Sequence, residues 1–491
     1  MQGFSVATSP ANLLYALIGC IMGTLVGVLP GLGPAAGTAI LIPLTFSLDP
    51  IGGIIMLAAI YYGAMYGGTI TSVLVNVPGE AASVVTCLDG YQMAKQGRAG
   101  AALGIAAIGS FIGGMFATFA LMIVAMPLVK LALRFGAPEI FALLVMGMSL
   151  VTGLSGRSLL ASLIMTVFGL MLAMIGMDPV RGAPRYTFGL EPLYDGLGFV
   201  PVVMGLFGVG EILVSMEAPV LDIIKTRFSD LFPNRKEWIS SAGAIGRGTI
   251  IGFLLGLIPG MGAVIPTFVA YVVEKKVSKN PEKFGTGVIE GVASPETANN
   301  AYANASMVPL LTLGIPGSPT LALLMGAFMI HGLTPGPLLF KERPDVVWGL
   351  IASLCLGNVI LIILNLPLVG LWARLLRIRY QYLYPGILLF CILGSYSLNQ
   401  SVFDVGVMIV FGILGYLFRK LDWPLAPTVL ALVLGPMMER TLRTSLEISA
   451  GNFGIFIQRP IAAVLLALTA LILFTPAVRL LGKKAGKDDG G

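Results

Sequence analysis

The stretch GCIMGTLVGVLPGLGP at residues 19–34 returns as GTIIGFLLGLIPGMGA at 248–263, so that Gly19, Gly23, Gly27, Pro30, Gly31 and Gly33 match Gly248, Gly252, Gly256, Pro259, Gly260 and Gly262 at a constant offset of 229. In each copy glycine recurs every fourth residue, which lines one face of a helix and lets another backbone approach closely. Each run then ends on Pro-Gly-x-Gly, which removes helical hydrogen bonds and frees peptide groups. Packing does not require that ending. A second pair of interruptions follows at an offset of 238: Asn76-Val77-Pro78-Gly79-Glu80 against Gly314-Ile315-Pro316-Gly317-Ser318. Backbone polar groups exposed in apolar sequence are tolerated around a cavity or buried site, and paired breaks in two halves of a chain mark the binding region of a secondary transporter.

The surrounding sequence is of membrane grade. Of 491 residues 56% are hydrophobic and 11% charged, whereas a soluble domain carries about 25% charged residues. Strand-like alternation is absent, so the expected fold is an all-α polytopic membrane protein, with length for roughly ten to fourteen spans or half-spans. The net charge of +6 is dispersed over loops, which fits orientation in a lipid bilayer and argues against a nucleic-acid groove. Cys20, Cys87, Cys355 and Cys391 are scattered through apolar sequence without a C-x-x-C pair and read as buried thiols. The N-terminus has neither a basic leader region nor a small-residue cleavage site, so the first apolar stretch is expected to stay in the protein.

Five regions are expected. Residues 1–215 form a first half, with a hairpin tip at 30–34 and a helix break at 76–80. Residues 216–247 read as an exposed polar linker. A second repeat core covers 248–376, with its tip at 259–262 and its break at 314–318; C-terminal helices follow over 377–482, then a disordered tail at 483–491. The arms around each tip, such as 11–29 and 35–46, read as re-entrant half-helices too short to span comfortably. Between tip and break the second copy is longer, and the polar run 275–283 is the place for the insertion. Basic residues on the linker and the tail favour the cytoplasm for both. Span parity does not decide between inverted and parallel repeats; the inverted arrangement is preferred by analogy with other carriers built on broken helices.

The candidate chemistry lies beside the breaks. EGVASPETANNAYANAS (290–306) is the most polar helical pattern in the chain. Ser294 reads as its N-cap, with Pro295 at the first helical position and Glu296 in the first turn. Thr297, Asn300 and Asn304 then share a face, with Asn299 and Ser306 beside it. In the first half the corresponding approach carries Thr69, Thr71 and Ser72 ahead of Asn76 and Glu80. Thr69, Thr71, Ser72, Asn76, Glu80, Glu296, Thr297, Asn299, Ser306 and Gly314 are therefore candidates for a coupling cation, sodium or proton. Pro30, Gly31, Gly33, Pro78, Gly79, Pro259, Gly260, Gly262, Asn300, Asn304, Pro316, Gly317 and Ser318 are candidates for substrate. Neither tip carries Lys or Arg, so an anionic substrate would meet helix N-termini and freed N–H groups, helped by a co-bound cation. The alternative for the amides is an interhelical ladder, and for the glycines close packing alone. His331, the only histidine, reads as a helix-end residue. No resident cofactor is expected, and the motifs of a metallohydrolase, a catalytic triad or a dinucleotide fold are missing.

The segments GTLVGVLPGLGP (23–34), YGAMYGGTITS (62–72), EGVASPETANN (290–300) and GIPGS (314–318) together resemble the large membrane subunit of the tripartite tricarboxylate transporters, over almost the whole chain. Thr297 stands where that family commonly has a small residue. The resemblance implies a bacterial inner-membrane permease for carboxylates such as citrate, driven by an ion gradient, often sodium. It also implies two partners, a small membrane subunit of about four spans and a periplasmic solute-binding protein. Likeness in plan to elevator-type carriers suggests a mobile transport domain on a scaffold, an analogy of fold only. The competing readings are a single-component ion-coupled carrier, a membrane enzyme and a structural scaffold.

Overall fold

The computed structural model describes residues 2–29, 32–154, 158–178, 182–217, 231–375 and 380–473. Pro30 and Gly31, both expected at the substrate site, lie outside the described residues, as do the tail and residues 218–230.

The described residues are almost entirely helical. The chain opens with α1 (Gln2–Ala7), α2 (Pro10–Val28), α3 (Gly33–Leu41), α4 (Pro50–Val75) and α5 (Val84–Lys95). The long α6 (Ala99–Ala132), α7 (Ala137–Leu154) and α8 (Leu159–Ala173) follow. A two-residue antiparallel pairing of Gly176–Met177 with Pro184–Arg185 then leads to α9 (Phe199–Val203), a π-helical stretch at Met204–Val209 and α10 (Gly210–Ser215). The second half runs through α11 (Arg235–Gly256), α12 (Val264–Val277), α13 (Glu290–Ala305), α14 (Met307–Leu313), α15 (Pro319–Ile330), α16 (Leu339–Glu342) and α17 (Pro344–Asn365). It closes with α18 (Val369–Leu375), α19 (Tyr380–Asn399), α20 (Val402–Lys420), α21 (Ala426–Ile448) and α22 (Ile455–Gln458). Among the described residues six helices, α2, α4, α6, α11, α17 and α20, are long and apolar enough to cross a bilayer.

Two compact units result. The first comprises residues 1–129 and 200–416 and contains both Pro-Gly tips and both breaks; the second comprises 130–199 and 417–491. Within the second unit α21 packs against α7 and α8, where a side chain at Gly169 would meet the Thr428 carbonyl oxygen at 2.3 Å. A charged cluster also ties this unit together: Arg443 pairs with Asp178 at 2.8 Å, and Arg185 with Glu439 at 2.8 Å.

In the first unit the glycine stripes have a packing role. A Cβ on Gly19, Gly23 or Gly27 of α2 would sit 2.5, 2.4 or 2.2 Å from the carbonyl oxygens of Met56, Ile60 and Ala64 on α4. On α11, Gly248 and Gly252 face the Ser294 and Ala298 carbonyl oxygens of α13, each at 2.3 Å. Contacts this short leave no room for any side chain, so the four-residue period of glycine fixes which helix each arm lies on. Helix α4 is buried from Gly52 to Val75 by this embrace.

Three local expectations need correction. The polar residues 235–247 are not linker but the first half of α11, started by Asn234, whose side chain accepts from the Lys236 and Glu237 amides at 3.0 Å. At 19 residues α2 is long enough to cross, unlike a half-helix. Ser294 is not an N-cap: α13 begins at Glu290 and carries Pro295 inside it. The start is set upstream, where Gly285 (φ 91°) and Gly287 (φ 108°) turn the chain around a buried carboxylate, Asp89. Ser294 instead donates its hydroxyl to the Ala270 carbonyl of α12 at 3.3 Å.

Candidate functional site

Corresponding breaks adopt corresponding backbones. Helix α4 ends on Asn76 in the left-handed region (φ 59°), and α14 ends on Gly314 in the same region (φ 70°). Four residues later Glu80 (φ −143°, ψ 164°) and Ser318 (φ −151°, ψ 165°) are both extended and start the next helical turn. The tips match as well, with Gly33 at φ 62° and Gly262 at φ 66°, a conformation that glycine adopts without strain. Asparagine is the residue other than glycine that best tolerates it, which is why Asn76 can stand opposite Gly314.

Each break rests against its own half. At the second, the Gly317 carbonyl accepts from the Gly262 N–H at 3.2 Å and from the Tyr302 hydroxyl at 2.8 Å, so tip, break and α13 converge on one oxygen. Pro259, Gly260 and Gly262 form the tip turn, and Pro316 and Gly317 the turn that meets it. At the first, a Cβ on Gly79 would lie 2.2 Å from the Gly27 carbonyl oxygen and 2.6 Å from the Gly68 Cα, so the turn of Pro78 and Gly79 presses on α2 just before its tip.

The two halves are joined through carboxylates. Glu296 of α13 is 1% exposed; its Oε2 accepts from Thr69 of α4 at 2.6 Å and its Oε1 from Thr86 of α5. One turn along, the Asn299 amide donates to Glu80 at 2.5 Å, across the first break. The Ser72 hydroxyl lies 2.9 Å from both Gly68 O and Ser83 Oγ and shares its one hydrogen between them, and Ser83 donates to the Glu80 carbonyl at 2.9 Å. Among the described residues neither Glu80 nor Glu296 is in an ion pair. Neutral donors alone surround these carboxylates, and a buried charge without a partner is costly.

The structure divides the polar residues of α13 between two neighbours. Glu296 and Asn299 face the first break. Thr297, Asn300 and Asn304, which share a face as their spacing predicts, lie against α6: the Thr297 oxygens crowd Gly109 and Gly113, Asn300 donates to Ser110 at 2.7 Å and Asn304 to the Gly114 carbonyl at 2.9 Å. Thr297 Oγ1 also bonds back to the Ala293 carbonyl at 2.7 Å. Thr71 and Ser306 are likewise engaged within their own chain turns, with Gly68 O and Ala303 O at 2.9 Å each. The acceptor oxygens of Asn299 and Asn304 are buried and unpartnered.

Thr86, Ser110 and Asp89 are outside the sequence-derived set. Asp89 is fully buried and accepts from the Tyr271 hydroxyl at 2.8 Å and from the amides of Gly285, Gly287 and Val288 at 2.8–3.0 Å. It thereby clasps the segment between α12 and α13 to α5 from the first half. The only sequence signal for it is an aspartate on a short polar helix directly after the first break. His331 caps the C-terminus of α15, 3.4 Å from Thr45 Oγ1, as a helix-end histidine should.

A family model described as the Tripartite tricarboxylate transporter TctA family matches residues 13–430. An uncharacterized 52.8 kDa protein from the TAR-I ttuC' 3' region of Agrobacterium vitis is 47% identical over 481 residues, covering 97% of this chain and 96% of its own length. A second uncharacterized protein, from the TAR-II ttuC' 3' region of the same organism, is 49% identical over 231 residues, 46% of this chain and 96% of its own. No solved structure matches.

Proposed function

The chain belongs to the tripartite tricarboxylate transporter TctA family, and from that premise we propose that it is the large transmembrane subunit of a binding-protein-dependent secondary transporter. It imports organic di- or tricarboxylates such as citrate across a bacterial inner membrane, coupled to a sodium or proton gradient. A periplasmic solute-binding protein delivers the substrate, and a small membrane subunit completes the permease. The paired breaks are an internal repeat, inverted in the membrane and carried on an elevator-like transport domain.

One observation carries this reading. Glu296 is 1% exposed, reaches from α13 to α4 and α5 on either side of the first break, and has only hydroxyl donors as partners. A carboxylate so placed inside a membrane bundle is neutralised by a proton or a metal cation, and ionisable groups in such positions mark ion pathways. Glu80, one turn away through Asn299, belongs to the same site. The substrate carboxylates meet the freed N–H groups of the tips and the start of α15 at Ser318, with the coupling cation offsetting their charge.

Uptake into proteoliposomes containing this chain and its small partner, with purified binding protein and an imposed sodium or proton gradient, tests the proposal. Labelled citrate or a related carboxylate is expected to accumulate only with the binding protein present and one gradient intact. Accumulation that persists after both gradients are collapsed excludes ion coupling, and accumulation without the binding protein favours a single-component carrier.

A further inference from the structure

A small cavity beside Thr69 lies between α4, α6 and α17. Tyr66, Thr69, Ser110 and Asn365 supply its polar wall, and Ile70 and Leu103 part of its apolar wall. It has room for about one water molecule. All four polar residues are at least nine-tenths buried.

Their hydroxyl hydrogens are engaged elsewhere. Thr69 donates its hydroxyl to Glu296 Oε2 at 2.6 Å, Ser110 to the Glu296 carbonyl at 3.3 Å, and Tyr66 to Asn358 Oδ1 at 3.4 Å. The Asn365 amide donates to the Leu361 carbonyl at 3.0 Å, while its Oδ1 is buried and has no partner. Ser110 Oγ already accepts from the Asn300 amide at 2.7 Å, so what these groups have left is chiefly oxygen lone pairs: two on Thr69, one on Ser110, and further acceptor capacity on Tyr66 and Asn365. A wall of oxygen acceptors with its donors turned away suits a cation and repels an anion. Hard cations are held by such neutral oxygens together with carboxylates.

From this arrangement we propose that the cavity is the seat of the coupling cation, a dehydrated sodium-sized monovalent ion held by Thr69 Oγ1, Ser110 Oγ, Tyr66 Oη and Asn365 Oδ1. The charge of Glu296 stands one hydroxyl away and balances it, which matches a single positive charge. Because Thr69 and Ser110 each also bond to Glu296, occupancy of the cavity reports directly to α13 and the first break. This inference rests on the ion-coupled reading above and adds to it Tyr66, Ser110 and Asn365, the last two remote in sequence from the breaks.

The test uses the purified full chain in detergent, without substrate or partners. Thermal unfolding is followed while sodium chloride replaces choline chloride at constant ionic strength, for wild type and for Asn365→Ala and Ser110→Ala. Sodium is expected to raise the midpoint of wild type, and loss of one ligand to raise the half-saturating sodium concentration about tenfold or more in each variant, since a lost ligand is worth about 1.4 kcal/mol or more. No sodium-specific rise in wild type, or a half-saturation unchanged in both variants, overturns the assignment. If one variant does not fold, the other decides. A sodium response that ignores both substitutions places the ion elsewhere and leaves the transporter reading intact, whereas gradient-independent uptake in the reconstituted system removes that reading on its own.

Discussion

The amide of Asn299 donates to the carboxylate of Glu80 at 2.5 Å, although the two residues stand 219 positions apart in the chain. It is a bond between the polar helix of one half and the helix break of the other, buried on both sides. With the Glu296 bonds to Thr69 and Thr86, it makes a single polar seam out of elements that each half supplies incompletely.

Removing Glu80 leaves the Asn299 side chain with both of its ends unpaired, because its Oδ1 already lacks a partner. Glu80→Ala is therefore expected to lower stability by about 1–3 kcal/mol, the cost of an unsatisfied buried polar group. Glu80→Gln keeps an acceptor for Asn299 and is expected to retain most of that stability. Thermal unfolding in detergent separates the two, and equal losses in both variants would show that the hydrogen bond is not what Glu80 contributes.

The glycine stripe on α11 makes a sharper claim. Gly252→Val places a side chain 2.3 Å from the Ala298 carbonyl oxygen, so α11 must move off α13, and loss of folded protein on size-exclusion chromatography is expected. Gly246→Ala on the same helix meets nothing within 4 Å and is expected to behave as wild type. A folded Gly252→Val protein would mean that the two helices are not held in this contact.

Gly33 and Gly262 should respond alike. Both have positive φ, and a Cβ on either meets no atom within 4 Å. Alanine at each is therefore expected to cost about 1–2 kcal/mol through backbone strain alone. Matched melting shifts for Gly33→Ala and Gly262→Ala check this, and a loss at one position only would break the correspondence between the tips.

Asp89→Asn tests the clasp on the segment ahead of α13. An amide presents one acceptor oxygen where the carboxylate presents two, and Asp89 uses both, Oδ1 toward Gly285, Gly287 and Val288 and Oδ2 toward Gly285 and Tyr271. Faster amide hydrogen exchange confined to residues 284–290 is the expected outcome. Unchanged protection there would mean that the turn holds itself.

Helix breaks and hairpin tips are legible in the sequence because proline and glycine act locally: Pro78, Gly79, Pro316 and Gly317 end helices wherever the chain later goes. The four-residue glycine period likewise forecasts close helix contact. Which neighbour a face meets is a different kind of information. Spacing places Thr297, Asn300 and Asn304 on one side of α13, but only the fold turns that side to α6 and leaves Glu296 and Asn299 for the first break. Ser294-Pro295-Glu296 imitates a helix start, and misleads because the start is set by a turn clasped from another helix by Asp89. Asn365, at the end of an apolar span far from either break, gives no sequence signal of the cavity it lines.

The most direct test of the account is gradient-driven carboxylate uptake by Glu296→Gln beside wild type, in proteoliposomes with the small subunit and the binding protein, after both chains are shown to be equally assembled. Glutamine removes the charge at nearly constant shape; its amide oxygen keeps the acceptor for one of Thr69 and Thr86, and its NH2 faces the other hydroxyl, which can turn to accept. Uptake driven by the ion gradient is expected in wild type and lost in Glu296→Gln. Undiminished, gradient-dependent uptake by the variant would contradict the claim that this buried carboxylate is where the coupling ion acts.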